Sequence, residues 1–553
     1  MKGQPSRTEP IGWPWLGVFE PQPHLSHARP AIAELGMVST PHYLATAIGL
    51  DILRSGGNAV DAAIAASAAL MVTVPMQCSP GGDAVWLIRT PEGGVEALDA
   101  TGRSPAAANS GALRQRGLAS IPMRSADAVS VPGAVDGWVR ALWRHGTRPL
   151  TELIEPAARL AERGFFVSRH LQASFAAALP ALRQWGALAM WSTDGSIPRL
   201  YSRLQQSALA ETLRAIGRSE GRSLYEGQLA RDIVDAVREA GGALALDDLA
   251  AHESEWVMPL AAEFRGITLF TSPPATQGVA LLQAMRVIEA LSPAPLNLAS
   301  PTDVHLMVEA VAGALEDRDQ FVTDRSRLKV QASELYSPRW VSSKASGIDL
   351  AKSKPRSQHA GSVKGRGDTA HLAIVDSDRR AVSLIQSVFF DFGTGIPVNS
   401  GGFTLQNRGA GFSLQEGSIN EWGSRLRPPH TLMPSLACRG RDLALVFGCM
   451  GGDGQVQTQV QLLIAMVDAG LDPQQAVSRP RWYLDRASPK LPLLMEDGFD
   501  PAIVAGLRQM GHEVAILGPA EEVMGHAQVI AAEPAGALVG AADRRSDGQA
   551  YGW

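Results

Sequence analysis

Apolar and polar residues change their period several times along the chain. Between Tyr43 and Leu53, the residues Leu44, Ile48, Ile52 and Leu53 recur at helical spacing, which predicts an amphipathic helix. Gly56-Gly57 ends it, because glycine tolerates a left-handed cap. Asn58 then opens a second helix with Asp61 as its capping partner. Ala59 to Met71 is almost wholly Ala, Ile, Leu and Val, and a helix apolar on every side is buried, here expected against a sheet. The runs Ala84 to Arg89 and Val95 to Leu98 flank Pro91-Glu92-Gly93-Gly94, a hairpin pattern.

Helical spacing then dominates, at Ala134–His145, Leu150–Arg163, Ala230–Ala240 and Pro301–Asp319, with a strand expected at Gly266–Phe270. Residues 342–367 are polar, basic and poor in large apolar side chains, which predicts an exposed linker. Beyond it the period returns to two over 369–388 and Ala444–Phe447. A long amphipathic helix is expected over Gln455–Ala469, and further strands at Val514–Leu517 and Ala527–Ala531. Residues 1–35, rich in Pro and polar residues, read as an irregular arm. Helices and hairpins in blocks favour an α+β layered fold over an alternating parallel one.

Composition narrows the function. The 553 residues carry a formal charge of −5, so nothing suggests a basic face for nucleic acid. Three cysteines, Cys78, Cys438 and Cys449, show no C-x-x-C spacing and fit buried apolar positions in a reducing compartment. His and acidic residues do not cluster at ligand spacing, so neither metal nor cofactor is expected. Pro10, Pro14 and Pro21 interrupt any signal-peptide core, and no charge-free stretch reaches transmembrane length. The expectation is a soluble cytoplasmic protein that binds neither nucleic acid nor membrane.

The chemistry concentrates in GRGDTAHLAIVDSDRRAVSLIQS. Thr369, His371, Ala373 and Val375 share one strand face, and Leu372 and Ile374 the other. Asp376 to Arg380 forms the turn, and Ala381 to Val388 returns. A hairpin symmetric about Asp378 sets Thr369 opposite Ser387, with Cβ atoms about 4.5–5.5 Å apart. A bulge would shift that pairing. A threonine hydroxyl needs a base; at a chain N-terminus its own amine, with a pKa of about 7.7–8.0, would serve. An ordinary hairpin with a threonine at its edge is the other reading of the same pattern.

The segments GGNAVDAAIAASAAL, VPGAVDGWV, GDTAHLAIVD, LQNRGAGFSL, RPPHTLMP and GCMGGDGQVQTQ, in this order from about Gly36 to the C-terminus, resemble the γ-glutamyltranspeptidase family. The resemblance implies the four-layer αββα sandwich of the N-terminal nucleophile hydrolases. It implies self-cleavage between Asp368 and Thr369 into a large fragment ending at Asp368 and a small one of residues 369–553, which stay together as a heterodimer, with a dimer of such heterodimers as a further option. Thr369 would be the nucleophile and Ser387 its supporting hydroxyl. His371 completes the family's Thr-x-His pattern in a structural or catalytic role. Gly451 and Gly452 match the oxyanion-hole glycines, where backbone donors must approach closely.

The recognition residues depart from the family pattern. The carboxylate-binding Arg is expected where Thr101 stands, so Arg103 either fills that role from a shifted position or is an ordinary surface residue. Gly411 stands where the family has an amine-binding Asp, Phe389 where it has an Asn, and His430-Thr431 where it has paired serines. The implied function is a glutathione hydrolase-like amide hydrolase or acyltransferase, acting on a γ-glutamyl or similar small amide that carries a carboxylate. A cephalosporin-type acylase or small-amide hydrolase, such as one acting on oxamate, is the alternative. An unprocessed, inactive binding relative is the third reading. A nucleotide-binding role fails for want of a phosphate-loop Lys.

Overall fold

The computed structural model describes residues 29–355, 367–488 and 490–553. Helix Tyr43–Arg54 packs on helix Ala59–Thr73, whose 15 residues are all buried. The second helix opens on the anticipated capping box. The Asn58 side chain accepts from Val60 and Asp61 N–H groups, and the Asp61 carboxylate accepts from Asn58 N–H at 2.9 Å. Small side chains on every side let this helix lie close to a sheet and to neighbouring helices at once.

Two seven-stranded antiparallel sheets form the centre. The first runs Gln549–Gly552, Met37–Thr40, Gly367–Val375, Ala381–Phe390, Asp83–Arg89, Val95–Ala100, Glu255–Val257. The second runs Ala31–Ala33, Leu538–Ala542, Ala527–Ala532, Asp442–Cys449, Ser435–Arg439, Ile267–Thr271, Leu260–Phe264. Period-two alternation builds the layers. Ala373 and Val375 meet Leu436, Val446 and Ile530 between the sheets. Leu372 and Ile374 point the other way, into the core formed with helices Ala59–Thr73, Ala134–His145 and Leu150–Arg163. Helices Gly278–Leu291, Pro301–Phe321 and Gly454–Leu463 cover the outer face of the second sheet. The result is the αββα sandwich, with both faces of the strand that carries Thr369 buried.

Three expectations need correction. Polar composition masks a helix at Pro338–Ser346, started by Ser337, whose side chain accepts from Trp340 N–H. Its Trp340 Nε1 and Lys344 reach Asp317, so tertiary partners stabilise a segment that reads as linker. Residues 356–366 of that stretch lie outside the described residues, as do 1–28 of the arm; Ala31–Ala33 of the arm is an edge strand. The helix after Gly454 changes to π geometry at Ile464–Asp468. The three cysteines are free and buried. No described helix is long and apolar enough to cross a membrane.

Two glycines give opposite expectations. A Cβ on Gly448 would lie 2.4 Å from the His371 ring across the inter-sheet space. Gly448→Ala should therefore destabilise by about 1–3 kcal/mol through overpacking. Gly313, within helix Pro301–Phe321, has nothing within 4 Å of such a Cβ. Gly313→Ala should stabilise by about 0.5–1 kcal/mol. Denaturant unfolding of the two variants checks both signs.

Candidate active site

The register of the central hairpin follows the symmetric expectation from Ala370↔Gln386 to Val375↔Ala381. It then shifts, so that Asp368 faces Phe389 and Thr369 falls in the irregularity between. The bulge sits at the Thr369 end and not at the turn. It leaves Thr369 off the ladder while its side chain stays beside Ser387, with Oγ1 donating to Ser387 Oγ at 3.4 Å. The Ser387 hydroxyl donates in turn to the Asp368 carbonyl oxygen at 2.5 Å. Phe389 N–H donates to Ser387 Oγ at 2.7 Å. That last bond holds Phe389 at φ 83, a conformation a bulky residue adopts only when its surroundings impose it. Thr369 is 2% exposed.

His371 lies on the same strand face as Thr369, inside the sandwich. Its Nε2 meets Ser383 Oγ at 2.9 Å, and burial pulls its pKa down to about 3, so it is neutral. Its ring packs on Gly448. Following the two facing strands outward from this contact leads to Thr369 on one and to the turn at Met450-Gly451-Gly452 on the other. Gly451 and Gly452 adopt φ 126 and φ 55, conformations that favour glycine. Among the described residues neither amide N–H donates to a protein acceptor. The turn is braced from behind: Gln277 Nε2 donates to the Gly452 carbonyl at 2.9 Å and to the Thr431 carbonyl at 2.7 Å. Arg318 holds Gln277 Oε1 at 2.6 Å and Asp453 at 2.7 Å.

The other sequence candidates fall into two groups. Phe389, His430 and Thr431 converge with Arg408. The Arg408 guanidinium carbon lies 4.1 Å from the Phe389 ring centroid, and its Nη1 donates to Thr431 Oγ1 at 3.4 Å. His430 Nε2 lies 3.6 Å from Asp83 Oδ2. Burial, with Arg408 and Arg427 nearby, holds its pKa well below the usual imidazole range. Gly411 ends the short turn Arg408–Gly411, and a Cβ there would meet the Pro429 carbonyl at 3.3 Å. Arg103 is engaged elsewhere: it pairs with Glu255 at 2.7 Å and with Asp324 at 3.6 Å, in a network that also holds Arg325, Arg427 and Asp99.

Sequence reasoning missed Asp83 and Arg408. Arg408 stood inside a segment already noted, LQNRGAGFSL, and Asp83 directly before the run Ala84 to Arg89, but only strand pairing puts Asp83 across from Ser387. The Asp83 Oδ1 accepts from Gly102 N–H at 2.9 Å and Gly133 N–H at 3.1 Å, and burial raises its pKa to about 7. The fold also gathers two groups with metal-ligand atoms that sequence spacing could not show, His170–Glu522–His526 and His305–Glu309–His512. In the latter, both His305 nitrogens are already engaged, by His512 at 2.7 Å and by the Asp349 carbonyl at 2.8 Å.

The description gamma-glutamyltranspeptidase matches residues 45–553. A glutathione hydrolase-like proenzyme of Bacillus subtilis is 36% identical over 524 residues, covering 93% of this chain and 98% of the relative. An oxamate amidohydrolase proenzyme of Klebsiella pneumoniae is 38% identical over 529 residues, covering 94% and 98%. The solved structure of the cephalosporin acylase from Bacillus halodurans matches with a TM-score of 0.89 at 32% identity, covering 97% of this chain and 99% of that one.

The raised pKa of Asp83 makes stability depend on pH. The folded state holds this proton up to about pH 7, whereas an unfolded Asp loses it near 3.8. Its contribution is thus fully present below about pH 4 and is lost as pH rises through 7. Asp83→Asn keeps an oxygen for both N–H donors and removes the titration. The stability of the wild type relative to Asp83→Asn should fall between pH 4.5 and 7.5; a constant difference in denaturant midpoints would contradict this.

Proposed function

The chain belongs to the γ-glutamyltranspeptidase family, and from that premise we propose that it is a proenzyme that cuts itself before Thr369 and then hydrolyses a small carboxylate-bearing amide through a Thr369 acyl-enzyme. That it is an amidohydrolase of the N-terminal nucleophile class follows from the family. The observation that carries the rest is the chain of bonds from Thr369 O–H to Ser387 O–H to the Asp368 carbonyl.

In self-cleavage, Thr369 Oγ attacks the Asp368 carbonyl carbon. The oxygen gains charge where Ser387 O–H already donates. Collapse breaks the C–N bond, the Thr369 nitrogen takes a proton and becomes a free amine, and an ester joins Asp368 to Thr369 Oγ. Water then hydrolyses that ester, leaving Asp368 as a C-terminal carboxylate. The products are a large fragment ending at Asp368 and a small one of residues 369–553, held together because strands of both share each sheet.

In turnover, the new amine removes the Thr369 hydroxyl proton as Oγ attacks the substrate carbonyl. The unpartnered Gly451 and Gly452 N–H groups suit the tetrahedral oxyanion. The amine then returns the proton to the leaving nitrogen, and water releases the acyl group. Gly411 and Phe389 offer no acidic or amide partner for a substrate α-ammonium, which favours a non-γ-glutamyl acyl group. The similarity to an oxamate amidohydrolase and a cephalosporin acylase supports the same reading.

On a denaturing gel the wild type should give two fragments, the smaller beginning Thr-Ala-His-Leu, and Thr369→Ala one intact chain. Ser387→Ala should slow cleavage by about 10²-fold or more, the usual cost of losing an oxyanion donor. A γ-glutamyl anilide should turn over far more slowly than small carboxylated amides; fast turnover would reinstate glutamate recognition.

A further inference from the structure

Arg408 is a charged side chain that the acyl-transfer steps leave unused. It is fully buried, at 0% exposure, and no ion pair to it occurs among the described residues. Buried charges are ordinarily paired. Here Nη1 is anchored on Thr431 Oγ1, and the guanidinium carbon lies over the Phe389 ring. Nε and Nη2 have no hydrogen-bond partner among the described residues. These two donors form one edge of the guanidinium, parallel and spaced to meet both oxygens of a carboxylate. The cation–π contact holds the guanidinium over the ring, and the Nε–Nη2 edge stays free of protein partners among the described residues. Asp83 is nearby, but its Oδ1 serves Gly102 and Gly133 and burial raises its pKa to about 7, while burial draws the Arg408 pKa down to about 9.

The geometry points to Arg408 as the residue that receives the carboxylate of the acyl group, through its Nε–Nη2 edge, which makes the substrate the monoamide of a short dicarboxylic acid. This rests on Thr369 being the acyl acceptor. The short acyl group follows from connectivity. The ring under Arg408 belongs to Phe389, whose N–H bonds Ser387 Oγ, and that oxygen lies 3.4 Å from Thr369 Oγ1. One residue, Phe389, thus links the Arg408 guanidinium to the Ser387–Thr369 pair, which keeps the acyl group expected between them short. Arg103, spent on Glu255 and Asp324, has no comparable free edge. Thr369 and Arg408 are both buried in the uncut chain.

The test uses the purified full chain and Arg408→Met and Arg408→Lys, with fragment formation read on a gel from the same samples. Ammonia release is measured on monoamides of the two- to five-carbon dicarboxylic acids and on neutral amides of matching length. The wild type should prefer the carboxylated member. In Arg408→Met the ratio of kcat/KM, carboxylated over neutral, should fall about a hundredfold or more, since a site built for a charged partner loses its discrimination with it. Arg408→Lys, which keeps the charge without the paired edge, should lie between. A ratio unchanged in both variants, or a wild type that is cleaved and shows no preference for the carboxylate, overturns the inference. So does failure of both variants to process, which would make Arg408 a structural residue. A wild type that stays uncut removes the Thr369 premise instead, and the gel separates that outcome from the others.

Discussion

Ser387 has one hydroxyl proton, and the structure directs it to the Asp368 carbonyl. Everything around the hairpin end follows from that choice. With its proton committed, the Ser387 oxygen can only accept, and it accepts from Thr369 O–H and Phe389 N–H. Reaching it forces Phe389 to φ 83 and Thr369 off the ladder. Such a backbone conformation costs on the order of 1–3 kcal/mol and persists only where rigid surroundings outweigh it. Those surroundings are the regular pairing from Ala370 to Val375 and the two layers packed on this strand.

A second constraint is electrostatic. Asp83, Arg408 and His430 are buried beside the hairpin end. Desolvation disfavours charge on each of them, and their pKa values move accordingly: Asp83 up, Arg408 and His430 down. A polar group kept in a dry interior needs partners, and hydrogen-bond partners are lacking among the described residues at the free edge of Arg408, at Asp83 Oδ2 and at both His430 nitrogens. In the proposed reaction the backbone would supply the transfer chemistry, through the Gly451-Gly452 turn and the bulge at Thr369, and side chains on neighbouring loops would supply recognition. This division explains how a frame with a TM-score of 0.89 to a cephalosporin acylase also resembles a glutathione hydrolase-like proenzyme and an oxamate amidohydrolase.

The amino-acid sequence by itself determined what depends on local periodicity. The helix at Leu150–Arg163, the capping box at Asn58 and Asp61, and the alternation along Leu372, Ala373, Ile374 and Val375 follow from residues a few positions apart. Even the register of the central hairpin was legible, because a tight polar turn leaves little freedom in pairing. Composition misled at Pro338–Ser346, whose helix depends on Asp317 from another helix.

Only the tertiary structure decided what depends on strands and loops far apart in the chain. The bulge at Thr369 answers to Ser387 and Phe389, and no local signal marks it. Asp83 reaches the site through strand pairing, Arg408 through its stacking on Phe389, and Arg103 is drawn away by Glu255 and Asp324. The physical reason is common to all of them. A side chain's charge, reach and free donors are fixed by which partners fill its surroundings, and those partners come from segments that meet only when the two sheets close on one another.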